Sequence, residues 1–282
     1  MITNGLTFNL GSIVLEIHNL SKSFFARGKG TVQALAPTHL VFETGKFTSI
    51  IGPSGCGKST LFNLIAGLIS PTTGSIVMQQ EDVTGQTGMV GYMLQKDLLL
   101  PWRTVLDNVI LGMEIRGVPR RESVRKASAL LHRYGLGDFI DCRPSQLSGG
   151  MRQRAALIRT LLYDRDIVLL DEPFGALDAQ TRVTMQSWLL NIWEEMGKTI
   201  LFVTHDIDEA IFLSDRIVVM TARPGRVKTI VDVPIARPRD RSVFTSSVFV
   251  SIKARLLELL SEEAAETQFA APIEISANSK RV

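Results

Sequence analysis

Phe47-Thr48-Ser49-Ile50-Ile51 runs straight into Gly52-Pro53-Ser54-Gly55-Cys56-Gly57-Lys58-Ser59-Thr60, and Leu61-Phe62-Asn63-Leu64-Ile65-Ala66-Gly67-Leu68 follows. The first run is short and β-rich. The last repeats Leu61, Leu64, Ile65 and Leu68 on one helical face. Between them Gly52 to Ser59 fits the pattern G-x-x-x-x-G-K-S. A glycine-rich turn from a strand into a helix lets successive backbone N–H groups point inward at a phosphate. The N-terminus of the helix adds a favourable potential for the anion. In that setting Lys58 is expected to reach the outer phosphates of a nucleotide. The Ser59 hydroxyl is expected on Mg²⁺, and Thr60 beside it on a phosphate. Gly52, Ser54, Gly55, Cys56 and Gly57 form the cradle. Cys56 lies near Lys58 and the helix start, and both lower a thiol pKa. Two expectations stand for its side chain: a reactive thiol that nucleotide protects, or an inert small residue filling the loop.

A second stretch carries the complementary chemistry. Ile167-Val168-Leu169-Leu170 is an apolar strand that ends in Asp171-Glu172-Pro173. Acids at the end of a buried strand are costly unless they serve an ion or a partner. Asp171 suits Mg²⁺. Glu172 is expected to point elsewhere, because successive strand residues alternate faces, and from there to polarise the water that attacks the terminal phosphate.

Around these two stretches the chain reads as α/β. Ile13–Ile17, Ser75–Met78, Met89–Met93, Thr199–Val203 and Arg216–Met220 are expected strands, some of them antiparallel near the start. Gly225 suits a hairpin turn before Val227–Val231. From Leu98 to about Leu162 the texture becomes helical, with Leu106, Val109, Ile110 and Met113 at helical spacing and a further helix over Val124–Tyr134. Gln180–Met196 places Met185, Trp188, Leu189, Ile192 and Trp193 on one stripe, which reads as packing. A helix is expected around Ile252–Leu260. Residues 1–12 read as a loose start and the last residues as a disordered polar end.

Composition narrows the function. The 282 residues are 45% hydrophobic, enough for a sizeable core. Lys and Arg number 31 against 28 Asp and Glu, a formal charge of +3, so no strong basic field for nucleic acid exists. Two cysteines, Cys56 and Cys142, exclude a disulfide framework and fit a reducing compartment. No basic segment joined to an apolar one opens the chain, so no signal peptide is expected. No apolar run approaches the roughly 20 residues that span a bilayer.

With these stretches in place, the chain resembles the ATP-binding subunits of ABC transporters over roughly residues 13–260. Leu147-Ser148-Gly149-Gly150-Met151-Arg152-Gln153-Arg154 is similar to the family signature, with Met151 where glutamine is usual. The phosphate loop and 167–173 match the two Walker motifs. Gln95 resembles the Q-loop glutamine, with Leu94 in place of the usual aromatic. Ala176-Leu177-Asp178 resembles the D-loop, and His205 in Val203-Thr204-His205-Asp206 the switch histidine. Phe24 resembles the aromatic that stacks on adenine, with Phe25 as the other candidate. The resemblance implies a P-loop NTPase core of ABC ATPase type with an N-terminal antiparallel β region and a helical subdomain. The core would occupy 13–96 and 163–233, the helical signature part 97–162, and a C-terminal extension 234–282. It implies ATP and Mg²⁺ as ligands, with Gln95 joining Ser59 and Asp171 at the metal. Glu172, His205 and Lys58 would be catalytic. Ser148, Gly149 and Gly150 would hold the terminal phosphate of a second chain's ATP, and Asp178 would communicate across a head-to-tail homodimer that forms only with ATP.

The branch is suggested by Leu99-Leu100-Pro101-Trp102 after the Q-loop and by Thr221-Ala222-Arg223-Pro224-Gly225-Arg226, which resemble the nitrate, sulfonate and taurine importers. That implies a peripheral subunit on the cytoplasmic face of the cell membrane. It would work with membrane permease subunits and, through them, a periplasmic or lipoprotein solute-binding protein. Three other readings compete: the ATPase subunit of an exporter or lipid-handling system, a nonhydrolytic nucleotide-binding scaffold, and a soluble ABC ATPase without a permease. Glu172 and His205 argue against the scaffold, and the soluble ATPases usually carry paired domains or a long coiled coil, neither of which this sequence has.

Overall fold

The computed structural model describes residues 13–26, 30–175 and 177–269. The loose start over 1–12, the polar end past 269 and Ala176 fall outside the described residues. The chain enters through an antiparallel hairpin of two 14-residue strands, β1 (Ile13–Ala26) and β2 (Gly30–Glu43). The sequence pattern marked only the first five residues of this hairpin. Its register shifts four times, between Ile13 and Leu15, Ile17 and Leu20, Leu20 and Lys22, and Lys22 and Ser23. Each shift moves the apolar side chains to the other phase of the alternation, which hides the strand from a period-two reading. Pro37 lies at one of these irregularities, where a missing N–H is tolerated.

The polypeptide then forms β3 (Phe47–Ile51), the loop 52–57 and α1 (Lys58–Ile65). Strands β4 (Thr73–Met78) and β5 (Glu81–Asp82) complete a four-stranded sheet in the order β2-β1-β4-β5. A larger sheet is built from β3, β6 (Gly91–Met93), β7 (Ile167–Asp171), β8 (Thr199–Val203), β9 (Arg216–Met220) and β10 (Val227–Asp232). Its order is β10-β9-β3-β8-β7-β6. All pairs are parallel except the β9–β10 hairpin at the edge, where the turn expected around Gly225 falls. Every residue of β3, β7 and β8 is buried, which is why these strands read as unbroken apolar runs.

The larger sheet separates two cores. Ile50, Leu169, Val203 and Val218 face α1 and the small sheet, packing with Ile17, Phe42 and Phe62. Phe47, Leu170, Phe202 and Val219 face the helices. Between β6 and β7 the chain makes α2 (Val105–Val109), α3 (Leu111–Ile115), α4 (Arg120–Arg133) and α5 (Gly149–Leu162), the expected helical insert. In α6 (Ala179–Met196) Met185, Leu189, Ile192 and Trp193 are buried. Trp188 is half-buried and meets Tyr134 edge-on at 4.6 Å, so the stripe is packing. After α7 (Ile207–Leu213), the last helix α8 (Ser247–Phe269) is longer than its apolar spacing suggested. Phe249, Ile252 and Leu256 anchor it in the helical-side core.

Candidate functional site

The phosphate loop is shaped by close backbone approaches. Gly57, the residue before α1, has φ +102°, and a Cβ there would come within 2.8 Å of the Ala34 carbonyl oxygen on β2. A Cβ on Gly52 would come within 2.8 Å of the Met220 carbonyl oxygen on β9. Side chains are excluded at both positions, so backbone lines the turn. Lys58 is buried, and its ammonium donates to the carbonyls of Gly52 (2.8 Å) and Pro53 (3.1 Å). The charge thus sits inside the loop, while Ser54, Gly55 and Ser59 are exposed on its rim and Thr60 is half-exposed.

Asp171 closes β7 and is buried. Burial pushes its carboxyl up from the ordinary range, the Ser59 hydroxyl bonded to it pulls it down, and the neighbouring Glu172 carboxylate pushes it up again. A hydroxyl and a carboxylate side by side at the mouth of a phosphate loop are the oxygen donors Mg²⁺ prefers. Among the described residues no three His, Cys, Asp or Glu side chains converge on one point.

Glu172 lies beyond the end of β7 with φ +47°. Its direction therefore comes from a left-handed backbone turn, not from the strand alternation expected for it. The turn is held by its N–H, which donates to the Val203 carbonyl (2.9 Å). Its Oε2 accepts from the Gln95 amide at 3.2 Å and lies 3.4 Å from His205 Nδ1. Three residues from distant parts of the sequence meet here.

Phe24 is 41% exposed and Phe25 82%. Phe24 pairs with Val32 across the hairpin, and the Lys22 ammonium lies 5.1 Å from its ring centre. The same hairpin approaches the loop at Ala34, so the strand pair that carries the aromatic also lies against the phosphate cradle.

Ser148 caps α5, its hydroxyl accepting from the Met151 N–H at 3.3 Å. A Cβ on Gly150 would lie 3.1 Å from the Thr181 methyl. Asp178 caps α6 by accepting from the Thr181 N–H at 2.9 Å, and this bonding to Thr181 pulls its carboxyl below the usual range. Among the described residues no hydrogen bond or ion pair joins 148–150 to the phosphate loop of their own chain.

The reactive-thiol expectation for Cys56 is corrected. The side chain is 1% exposed and packs in the core on the α1 side, with only its backbone in the cradle. Burial pushes the thiol up, and this outweighs the opposing pull of Lys58.

Two features escaped the sequence reading. Asp97 accepts from Arg152 Nε (3.2 Å), and Arg159 donates to the carbonyls of Asp97 (2.6 Å) and Leu98 (2.8 Å), tying the segment after Gln95 to α5. Buried Glu209 accepts from Thr204 (2.6 Å) and Gln186 (2.9 Å), linking α6 to the residue before His205. Asp206 followed three residues later by Glu209 is a helix-start signature that could have flagged the second. Nothing in the sequence pairs Asp97 with Arg152.

A strand–glycine loop–helix unit inside a largely parallel sheet, with a carboxylate pair at the end of β7, one strand removed from β3, defines a P-loop ATPase. The family model described as ABC transporter matches residues 35–175. An uncharacterized ABC transporter ATP-binding protein of Methanocaldococcus jannaschii is 47% identical over 251 residues, covering 89% of this chain and 92% of its own. An aliphatic sulfonates import ATP-binding protein of Bacillus thuringiensis subsp. konkukian is 40% identical over 246 residues, covering 87% and 95%. A taurine import ATP-binding protein of Roseobacter denitrificans is 42% identical over 222 residues, covering 79% and 83%. A solved dimeric ATP-binding cassette in a post-hydrolysis state, bound to ADP and Pi, superposes with a TM-score of 0.69 at 32% identity, covering 79% of this chain and 100% of its own. The chain belongs to the ABC transporter ATP-binding family. Among the described residues no helix is long and apolar enough to cross a membrane.

Proposed function

We propose that this ATPase powers import of a small sulfonate-, taurine- or nitrate-like solute through a separate permease, docked on the cytoplasmic face of the cell membrane. The observation that carries the catalytic part is the Glu172 carboxylate held between Gln95 and His205 beside the phosphate loop. The solute class is supported by relatives named for sulfonate and taurine import that align over most of both chains. A periplasmic or lipoprotein solute-binding protein would supply the cargo to the permease.

In this reading Lys58 and the backbone from Gly52 to Thr60 hold the phosphates, and Phe24 stacks on the adenine. Ser59, Asp171 and Gln95 would hold Mg²⁺, which when bound neutralises charge on the phosphate oxygens. Glu172 orients the attacking water, and His205 beside it contacts the terminal phosphate. Ser148, Gly149 and Gly150, unattached to their own loop, would meet the ATP of a second chain in a head-to-tail dimer, with Asp178 near the junction. The work is divided between a nucleotide core over 13–96 and 163–233, a helical part over 97–162, and a C-terminal extension over 234–282. Exposed Leu98, Trp102 and Ile115 on the helical part suit a permease segment. The test is co-expression with candidate six-helix permeases, followed by detergent purification and uptake of labelled taurine, alkanesulfonate and nitrate. Permease capture with ATP-dependent uptake of one of these supports the reading. Stable capture by a permease that only expels substrate contradicts it.

A further inference from the structure

The floor of the phosphate loop is the segment 220–225, and the C-terminal helix holds that segment. On one side of the loop, Gly52 lies against the Met220 carbonyl. On the other, a Cβ at Gly225 would fall 1.9 Å from the Cys56 carbonyl oxygen, an approach only glycine permits. Gly225 is also stitched to β2: its N–H donates to Ala34 (3.1 Å) and its carbonyl accepts from Ala36 (2.9 Å). The Ala34 carbonyl is in turn the atom that excludes a side chain at Gly57. Any movement of 220–225 therefore reaches both ends of the loop and the hairpin that carries Phe24.

What fixes this segment from behind is Glu263, near the end of α8. The Ala222 N–H donates to its Oε2 at 2.9 Å, and Lys228 Nζ lies 2.9 Å from its Oε1. Lys228 also donates to the Leu259 carbonyl (3.1 Å) and to Glu262 (2.7 Å). Glu263 is buried, and a buried carboxylate persists only where charge and donors meet it. The bond from a backbone N–H to an ionised carboxylate is of the stronger, charge-assisted kind. Inside the segment Thr221 and Arg226 close the turn through the Thr221 N–H to the Arg226 carbonyl (2.9 Å) and the Arg226 N–H to the Thr221 hydroxyl (3.1 Å). Ala222 and Gly225 thus lie within one hydrogen-bonded turn.

We propose that Glu263 is a positioning residue for the phosphate loop, so that the C-terminal helix is part of the ATP site although it touches no nucleotide; this rests on the loop binding ATP. The full-length chain is tested as wild type, E263A, E263Q and L256A, measuring ATP affinity by calorimetry, KM and kcat for hydrolysis, and Tm. Leu256 is buried in the same helix and has no part in the Ala222 contact, so it reports simple loosening. E263A should weaken ATP binding and raise KM by roughly five- to tenfold, the scale of a lost hydrogen bond to a charged group transmitted in part. Its kcat at saturation should stay within about twofold. E263Q keeps an acceptor for the Ala222 N–H, folds isosterically, and should weaken binding by less than about threefold. L256A should lower Tm while ATP affinity stays within about twofold. ATP affinity in E263A and E263Q equal to wild type, or a loss in L256A as large as in E263A, overturns the proposal. A wild-type chain that binds no ATP overturns the loop assignment and the proposal with it.

Discussion

Glu172 owes its aim to one backbone angle. At φ +47° it leaves the line of β7, and its carboxylate arrives between Gln95 and His205. E172Q keeps the shape and removes the charge proposed to orient water. Its turnover should fall by about 10²- to 10⁴-fold while ATP binding persists, read by single-turnover hydrolysis beside calorimetry. Near-normal turnover would remove Glu172 from this role. Lys58 is a different case, because its ammonium is bonded to the loop itself. K58A should weaken ATP binding by about tenfold or more, from the loss of a charge-assisted contact, and wild-type affinity would reject it as a phosphate ligand. Cys56 should label with maleimide no faster than the chain opens, since its thiol is buried and held protonated. Rapid labelling under native conditions would contradict that burial.

At the level of elements, the site is assembled by contacts between segments that look unrelated in sequence. The stretch from Gln95 to Asp97 touches Glu172 at one end and Arg152 of α5 at the other, so it links the Glu172 carboxylate to the helical part. The α6–α7 contact has a pH signature. Burial raises the Glu209 carboxyl above its ordinary 4.5, so the folded chain binds a proton that the unfolded chain releases. That contribution to stability is full below the ordinary value and is lost as pH rises through the folded one. The Tm of wild type should therefore fall relative to E209Q as pH is raised from about 4 to neutrality; parallel curves would show that Glu209 titrates normally. Elements of this kind divide by how local their signal is. The loop 52–59, the strand into Asp171 and the stripe on α6 were legible because each is written in consecutive or periodic residues. The β1–β2 hairpin was not, since bulges break its alternation. The direction of Glu172, the burial of Cys56 and the grip of Glu263 on Ala222 depend on residues that meet only after folding.

In the proposed function the molecule as a whole would hold half of each composite site. Lys58, Ser59 and Asp171 gather at one place, whereas Ser148 and Gly149 stand at the start of α5, where Gly150 lies close to Thr181 of α6, and among the described residues no hydrogen bond or ion pair ties them to their own loop. Two chains placed head to tail would bring the second group over the first, with ATP filling the interface. The nucleotide would then supply the contact that closes the dimer, and hydrolysis would remove it, a two-state change that a bound permease would feel. Such a chain should be monomeric alone and dimeric with ATP. Static light scattering of E172Q, S148R and their mixture, with and without ATP and Mg²⁺, tests this most directly. E172Q should form an ATP-dependent dimer, S148R should stay monomeric despite near-normal ATP binding, and the mixture should pair weakly at most. An S148R chain that dimerises with ATP and hydrolyses it like wild type would contradict the shared site.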